Sequence, residues 1–223
     1  MNHVVTPNEI QNLAQKLINS CGHAEYHRLM LDWTIDLWSY LNKYLENLSF
    51  IPHVLDIGCF TGVNSILLSQ FSEFVTCIDC ENYLPSWKPD NITFHQTNLD
   101  SGEWEISDQH YNICLMVEVL EHLKWSPIPL LKFLCSHVDL LFITTPDDEE
   151  WPSLKNHPWT HYTDYKYMPT AYKGCSGNPK PMFHVKQYKQ HEFLELLSVC
   201  GFRVIELVRV GESKHQLLAG HLD

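Results

Sequence analysis

The sequence predicts an α/β protein with a doubly wound, mainly parallel sheet. From residue 53 onward, short apolar segments alternate with segments of helical periodicity. This alternation is typical of successive β–α–β units, in which helices cover both faces of a parallel sheet. A glycine-containing turn follows the first apolar segment, as expected where a strand leads into the helix of a ligand-binding unit. Hydrophobic residues make up 44% of the 223 residues, which is enough to fill the core of such a sheet.

Two helices are predicted before the sheet. The segment Thr6–Glu9 has the pattern of a capping box with proline at the first helical position, and Gly22 ends the helix that follows. Apolar residues then recur at spacings of three and four between residues 30 and 48, which predicts a longer helix. We therefore assign residues 1–49 to an N-terminal helical cap and residues 50–223 to the domain that contains the sheet.

The strand candidates are short and regularly spaced until residue 146. They are residues 53–57, 74–78, 92–94, 113–117 and 140–144. Residues 147–186 break this rhythm because they are rich in aromatic residues and prolines, and we predict an ordered lid or substrate-binding insertion there. A helix over residues 187–200, ended by Gly201, and strands over residues 202–210 and 216–221 complete the predicted domain.

The composition limits the class of partner. There are 15 Lys and Arg residues against 27 Asp and Glu residues, a net charge of −12, which disfavours a nucleic-acid partner. No apolar run has the length of a membrane span, and the N-terminal residues lack the pattern of a signal peptide. The eight cysteines are scattered through mostly apolar stretches, as is typical of free thiols. We expect a cytoplasmic protein that binds neither nucleic acid nor membrane.

A glycine turn at residues 54–62 is the most informative segment. A dinucleotide fingerprint is excluded because Phe60 and Val63 occupy two of its three glycine positions, and no Gly-Lys-Ser/Thr of a P-loop follows. Asp56 lies two residues before Gly58. An acidic residue there would repel a pyrophosphate, but it suits a ligand that carries an ammonium or a sulfonium group.

A second acidic residue indicates which ligand this is. Asp79 ends the next predicted strand and lies 21 residues after Gly58. In doubly wound folds, an acidic residue at about this separation hydrogen-bonds the ribose hydroxyls of an adenosine ligand. An adenosine without phosphates and with a charged tail describes S-adenosylmethionine, which we predict as the cofactor.

These segments resemble the class I S-adenosylmethionine-dependent methyltransferases. The resemblance depends on residues 54–62, Asp79 and residues 117–123, and it extends over roughly residues 50–145 and 185–221. The chain is particularly similar to the subgroup with a Glu-His-Leu motif after the fourth strand, to which the ubiquinone-pathway O-methyltransferases belong. The resemblance implies a seven-stranded sheet of order 3-2-1-4-5-7-6 in which the last strand is antiparallel. It makes residues 50–223 the methyltransferase domain.

The resemblance also implies the roles of the cofactor-binding residues. Asp56 is expected to orient the loop and the methionine end of the cofactor, and Asp79 to bind the ribose. Two positions depart from the family pattern, since Asn98 stands where Asp is common and Phe60 where Gly is common. The full implied set is Asp56, Gly58, Cys59, Phe60, Thr61, Gly62, Asp79, Asn98, Leu99 and Val117.

Candidate catalytic residues follow the fourth strand. Glu118, Glu121 and His122 share one face if the turn there is helical. Three interpretations are open: a structural role for Glu121 and His122, a role for His122 as general base or substrate-orienting group, or a Mg²⁺ site formed by all three. Similar clusters bind metal in small-RNA 3′-end 2′-O-methyltransferases, but the acidic charge disfavours an RNA substrate. We assign His122 and Glu118 to catalysis and no residue to a metal.

His184 is the third catalytic candidate. Residues 182–188 resemble the His-x-x-x-Tyr/Phe segment that closes the lid in many small-molecule and glycan-modifying methyltransferases. His184 either faces the acceptor or forms a hydrogen bond at the start of the helix. His157 and His161 are marked as well because they lie in the predicted lid.

The sequence thus predicts an S-adenosylmethionine-dependent methyltransferase that methylates an oxygen of a small molecule or a sugar by in-line displacement. A catalytically silent binding or scaffold protein with the same cofactor pocket is the alternative. The acceptor, the methylated element and the oligomeric state are left open by the sequence.

Overall fold

The computed structural model describes residues 4–46, 51–99, 104, 106–147, 164–168, 184–210 and 214–220. The chain divides into two compact units, Met1–Gln96 and Thr97–Asp223. Most of the predicted lid, including His157 and His161, lies outside the described residues.

The first unit begins with the two predicted helices. Helix α1 spans Pro7–Cys21 and helix α2 spans Ala24–Leu45. The predicted capping box is present: the Glu9 N–H donates to the Thr6 hydroxyl over 3.3 Å, and the Thr6 N–H donates to the Glu9 carboxylate over 2.8 Å. Gly22 follows α1 with a φ of 76°, a left-handed conformation that glycine adopts without strain.

Three parallel strands form the sheet of the first unit. They are β1 (Ile51–Ile57), β2 (Ser72–Asp79) and β3 (Ile92–Gln96), in the order β3-β2-β1, with helix α3 (Val63–Leu68) between β1 and β2. Ile57 pairs with Ile78, and the Gly58 N–H donates to the Ile78 carbonyl over 2.8 Å. The register therefore brings the glycine turn beside Asp79 at the carboxyl edge of these strands.

The second unit contains a mixed sheet. Its strands are β4 (Tyr111–Val117), β5 (Val138–Pro146), β6 (Arg203–Val210) and β7 (Lys214–Gly220), in the order β4-β5-β7-β6. Strands β4 and β5 are parallel, whereas β7 is antiparallel to both β5 and β6. Helix α4 (Ile128–His137) connects β4 to β5, and helix α5 (Gln190–Val199) precedes β6. Short 3₁₀ helices occupy Leu120–His122 and Tyr165–Tyr167.

The α/β class with parallel strands is confirmed, and so is the antiparallel direction of β7.

Helix α5 was expected from residue 187 but begins at Gln190, because Lys189 is extended with ψ at 152°. Glu121 and His122 are not part of helix α4. They form a separate 3₁₀ turn, and α4 starts only after Pro127. A residue that precedes proline is disfavoured in helical conformation, which explains the interruption before Pro127.

Apolar side chains from the strands and helices form the core of each unit. In the first unit, Val54, Leu55 and Ile57 of β1 are fully buried, and in the second unit Leu141 and Ile143 of β5 are. Among the helices that the structure describes, none combines the length and the apolar character that a transmembrane helix requires.

Candidate active site

The glycine turn contains left-handed backbone conformations, which are unfavourable for residues that carry a side chain. Gly58 and Gly62 have φ angles of 71° and 79°, and the Gly62 N–H donates to the Cys59 carbonyl over 2.8 Å. A Cβ atom at Gly62 would overlap the side chain of Leu84. Phe60 is also left-handed, with φ at 47°, which is uncommon for a residue that is not glycine. The surroundings therefore hold this turn in a strained form.

Asp79 is one of the groups that hold the turn. Its Oδ2 accepts a hydrogen bond from the Phe60 N–H over 2.9 Å, and its Oδ1 accepts one from the Cys80 N–H over 2.7 Å. A carboxylate offers about four acceptor sites, so these two bonds leave capacity for further donors. Asp79, predicted from the sequence to bind the cofactor, thus lies against the glycine turn. This position is compatible with a ligand that passes over the turn.

Asp56 lies beneath the turn, where it is almost completely buried, with 2% of its surface exposed. It accepts a short hydrogen bond from the Ser65 hydroxyl, which in turn accepts the Cys77 thiol over 3.0 Å. Burial raises the pKa of Asp56 to about 6; the Asp79 charge adds to the rise and the Ser65 bond opposes it. Asp56 therefore connects the end of β1 to helix α3 under the loop.

Helix α2 contacts the other side of the turn. The Thr61 hydroxyl lies 3.3 Å from His27 Nε2, and both residues are buried. Burial, and secondarily the nearby His23, lower the pKa of His27. The ring of Phe60 packs against three aromatic rings whose centroids lie 4.7 to 5.2 Å away, those of His23, Tyr26 and Tyr83.

Sequence reasoning missed this aromatic packing around the loop. The available signal was the run of aromatic and histidine residues at the start of α2, which the apolar periodicity of that helix did not explain.

In the second unit, Glu121 and His122 follow strand β4, and their side chains lie close to that of His184. The potential ligand atoms of Glu121, His122 and His184 all lie within 4.8 Å of one another. Glu121 Oε1 is 3.7 Å from His122 Nε2, and the rings of His122 and His184 meet edge to face at 4.9 Å. The Glu121 side chain is completely buried, whereas 29% of the His122 side chain is exposed. A solvent-reachable imidazole supported by a buried carboxylate can accept a proton, and the three groups together can also hold a cation.

Backbone hydrogen bonds bring His184 to this group. The N–H groups of Val185 and Lys186 both donate to the Glu121 carbonyl, over 2.6 and 3.2 Å. The Thr145 hydroxyl donates to Glu121 Oε2 over 3.3 Å. Thr145, near the end of β5, and the segment before α5 therefore fix Glu121 from two sides.

Glu118 occupies a different environment from the one predicted. Its φ of 55° ends the strand abruptly, so Glu118 does not share a helical face with Glu121 and His122. Its N–H donates to the carbonyl and the hydroxyl of Thr144, and that hydroxyl donates to Glu118 Oε1 over 2.9 Å. In the described residues, the compact group thus contains His184 in the place expected for Glu118.

The remaining predicted cofactor residues belong to the second unit. Val117 ends β4 and pairs with Thr144. Leu99 is nearly buried, and its carbonyl accepts the Trp125 indole N–H over 2.8 Å, while Asn98 is exposed. The adenine role of Asn98 and Leu99 stays a prediction.

A family model described as "Methyltransferase domain" matches residues 22–207. The chain belongs to this family. The match extends from the start of the second helix to strand β6 and includes the glycine turn and the Glu121 group. The prediction of an S-adenosylmethionine-dependent methyltransferase is thereby confirmed.

Solved structures of methyltransferases have the same fold. The chain superposes on 1,6-didemethyltoxoflavin-N1-methyltransferase from Burkholderia thailandensis with a TM-score of 0.62 at 14% identity, over 99% of this chain and 92% of that one. An S-adenosylmethionine-dependent methyltransferase from Aquifex aeolicus gives 0.59 at 16% identity, over 98% and 100% of the two chains. Magnesium protoporphyrin IX methyltransferase from Synechocystis PCC 6803 gives 0.60 at 16% identity, over 87% and 85%. No curated protein matches the sequence significantly.

Proposed function

We propose that this methyltransferase transfers a methyl group to a hydroxyl oxygen of a small molecule or a sugar. The observation that carries the proposal is the partly exposed His122 beside the buried Glu121 and His184. A hydroxyl nucleophile must lose its proton, and an imidazole supported by a carboxylate is suited to accept it. Two structural neighbours are named for small molecules, 1,6-didemethyltoxoflavin and magnesium protoporphyrin IX, which supports a small-molecule acceptor for this chain as well.

The glycine turn fits S-adenosylmethionine. Gly58 and Gly62 present backbone without side chains, and Asp79 keeps acceptor capacity for ribose hydroxyls. When bound, the cofactor supplies an electrophilic methyl group on a sulfonium. We infer that Cys59, Phe60 and Thr61 line the turn with these residues and that Asp56 orients it from below. For Val117, Asn98 and Leu99 we propose the cofactor-binding roles that the family resemblance implies. We also propose the full strand order 3-2-1-4-5-7-6 that the family resemblance implies.

In the proposed mechanism, the chain's own groups align the acceptor and move one proton. His122 takes the proton of the acceptor hydroxyl, and the neighbouring Glu121 carboxylate stabilises the charged imidazolium that results. His184, edge-on to His122, orients the base or the acceptor. Glu118 holds the end of β4 through Thr144, and its catalytic contribution is to fix the position of this turn.

Metal assistance is the alternative role of the same three residues. The sequence suggested Mg²⁺ on Glu118, Glu121 and His122, but the donors that converge are one carboxylate and two imidazoles. Mg²⁺ prefers oxygen ligands, whereas imidazole suits transition metals and zinc. The donor set therefore fits Mg²⁺ poorly, and a metal-assisted reaction would require a different divalent ion.

Production of S-adenosylhomocysteine across a library of hydroxyl, amine and carbon acceptors tests the proposal. We expect turnover with hydroxyl acceptors that persists after treatment with a chelator. Loss of turnover in the chelator, restored by Mn²⁺ or Zn²⁺, would instead establish the metal role. Tight cofactor binding without turnover on any acceptor would favour the silent binding protein.

We also propose that residues 1–49 cap the cofactor site and that residues 147–186 form the acceptor lid. All seven cysteines in the described residues are free thiols, which supports action in a reducing compartment such as the cytoplasm.

A further inference from the structure

A buried ion pair lies directly after His184 in the chain. Lys186 Nζ is 2.6 Å from Glu192 Oε2, and only 3% and 9% of the two side chains are exposed. Removing two charges from water costs several kcal/mol per ion, and the mutual attraction does not by itself guarantee a gain in stability. A net gain in stability is therefore not sufficient to explain why the pair lies at this position.

Both partners of the pair make additional contacts with neighbouring segments. Lys186 Nζ also donates to the Gln187 carbonyl over 2.5 Å and lies 5.1 Å from the centre of the Tyr188 ring. The second oxygen of Glu192 accepts the Tyr165 N–H over 3.0 Å. One carboxylate on helix α5 thus fixes both the segment that follows His184 and the segment 164–168.

The pair is connected to the candidate catalytic group through the backbone. The Lys186 N–H and the preceding Val185 N–H both donate to the carbonyl of Glu121. His184 immediately precedes this double contact, and its ring meets that of His122. Helix α5 is therefore linked to His122 through Glu192, Lys186 and the backbone at residues 184–186.

We propose that Lys186 and Glu192 form a positioning pair that sets His184 against His122. This inference depends on the proposed function for its kinetic consequence, but the placement of the two rings is a structural claim that stands apart from it. A displacement of about 1 Å in a group that aligns a reaction can lower the rate by roughly 10².

The chain contains a matched control for this pair. Lys166 and Glu195 form a second ion pair to helix α5, with a distance of 2.7 Å, and it joins α5 to segment 164–168. Their side chains are 50% and 47% exposed, and exposed pairs of this kind contribute little to structure. The two ion pairs share helix α5, but they differ in burial, in the segment that each joins to α5 and in the link to Glu121.

The experiment compares wild type, Lys186→Met/Glu192→Gln and Lys166→Met. The double variant removes both charges of the pair, so neither is left buried without its partner, and its glutamine oxygen can still accept the Tyr165 N–H. We therefore expect it to fold. In protein labelled with ¹³C-histidine, the nuclear Overhauser effect between the His122 and His184 rings reports their contact. We expect this signal in wild type and Lys166→Met, and its loss in the double variant, while the affinity for S-adenosylhomocysteine changes less than twofold.

Kinetics then separates the two proposals. With an accepted hydroxyl substrate, kcat should fall about 10- to 100-fold in the double variant, with KM for the cofactor unchanged. An unchanged ring–ring signal in the folded double variant would overturn the positioning role. An equal loss in Lys166→Met would also overturn it, because the effect would not be specific to the buried pair. Loss of the ring contact in an enzyme that methylates no hydroxyl would leave the positioning claim intact and refute the proposed function.

Discussion

The glycine turn and the Glu121–His122–His184 group follow strands β1 and β4, and they differ in how far apart their residues lie in the sequence. The turn and its supporting acids lie between Asp56 and Asp79. In the candidate catalytic group, Glu121 and His122 are adjacent in the sequence, whereas His184 lies 62 residues after His122. A short motif fixes the first region, whereas only the fold can assemble the second.

The two regions also share a feature. Each contains a non-glycine residue with a left-handed backbone, Phe60 at 47° and Glu118 at 55°. Such conformations cost roughly 1–3 kcal/mol and persist only where the surroundings impose them. Asp79 supports the conformation of Phe60 by accepting a hydrogen bond from its N–H. Thr144 supports that of Glu118 by donating a hydrogen bond to its carboxylate. We expect substitutions in one region to leave the function of the other unchanged.

The largest effect is expected from His122→Ala. Loss of the general base should lower turnover by roughly 10²–10⁴ while the affinity for S-adenosylmethionine stays the same. Steady-state kinetics with an accepted substrate and calorimetric titration measure the two quantities. His191→Ala, which removes an exposed histidine of helix α5, serves as the control and should retain full turnover. A parallel loss of cofactor affinity in His122→Ala would contradict the separation of the two regions.

Asp79→Ala should have the opposite pattern. Removing the acceptor for the Phe60 N–H and for the ribose should weaken cofactor binding by about 2–4 kcal/mol, because these are hydrogen bonds to a charged group. Asp79→Asn keeps one oxygen for the Phe60 N–H and should lose less. Calorimetry with S-adenosylhomocysteine measures both variants, and wild-type affinity in folded Asp79→Ala would remove Asp79 from the cofactor site.

Asp56 should make stability depend on pH. The pKa of this carboxyl is raised to about 6 by burial, against about 3.9 in an unfolded chain. A raised pKa means that its contribution to stability is present below about pH 4 and is lost as the pH rises through about 6, by up to about 3 kcal/mol. The free energy of urea unfolding should therefore decline from pH 4 to 7 more in wild type than in Asp56→Asn. Identical pH profiles would show that Asp56 is not held in this environment.

The smallest effect is expected from Thr61→Val. This change keeps the shape of a buried side chain but removes the hydroxyl that lies against His27. It should lower the free energy of unfolding by about 1 kcal/mol and weaken cofactor binding slightly. Thr6→Ala removes the cap of α1 at a similar cost in stability and should leave cofactor affinity unchanged. Equal effects of both variants on cofactor affinity would mean that the contact between α2 and the turn has no specific role.

The sequence was informative wherever structure depends on neighbouring residues. The capping box at Thr6, the glycine turn at Gly58 and the strand that ends at Asp79 all follow from local patterns, and each is present. The length of helix α5 was overestimated because the extended Lys189 has no distinctive signal in the sequence.

The candidate catalytic group was predicted less well because its geometry is not local. Spacing alone placed Glu118 with Glu121 and His122 on one helical face, but the left-handed Glu118 and the later start of α4 after Pro127 prevent this. His184 was recognised as a candidate, yet its contact with His122 depends on the Val185 and Lys186 hydrogen bonds to the Glu121 carbonyl. No periodicity in the sequence encodes a contact of that kind.

Transfer of a ¹³C-methyl group shows which element is methylated and whether His122 takes part. S-adenosylmethionine labelled at its methyl carbon is incubated with an accepted substrate and either wild type or His122→Ala, and the product is observed by NMR. We expect the label to appear in a methyl group bound to oxygen, and His122→Ala to form this product at least about 10²-fold more slowly at saturating cofactor. Label bound only to nitrogen or carbon, or formation of the O-methyl product by His122→Ala at the wild-type rate, would contradict this expectation.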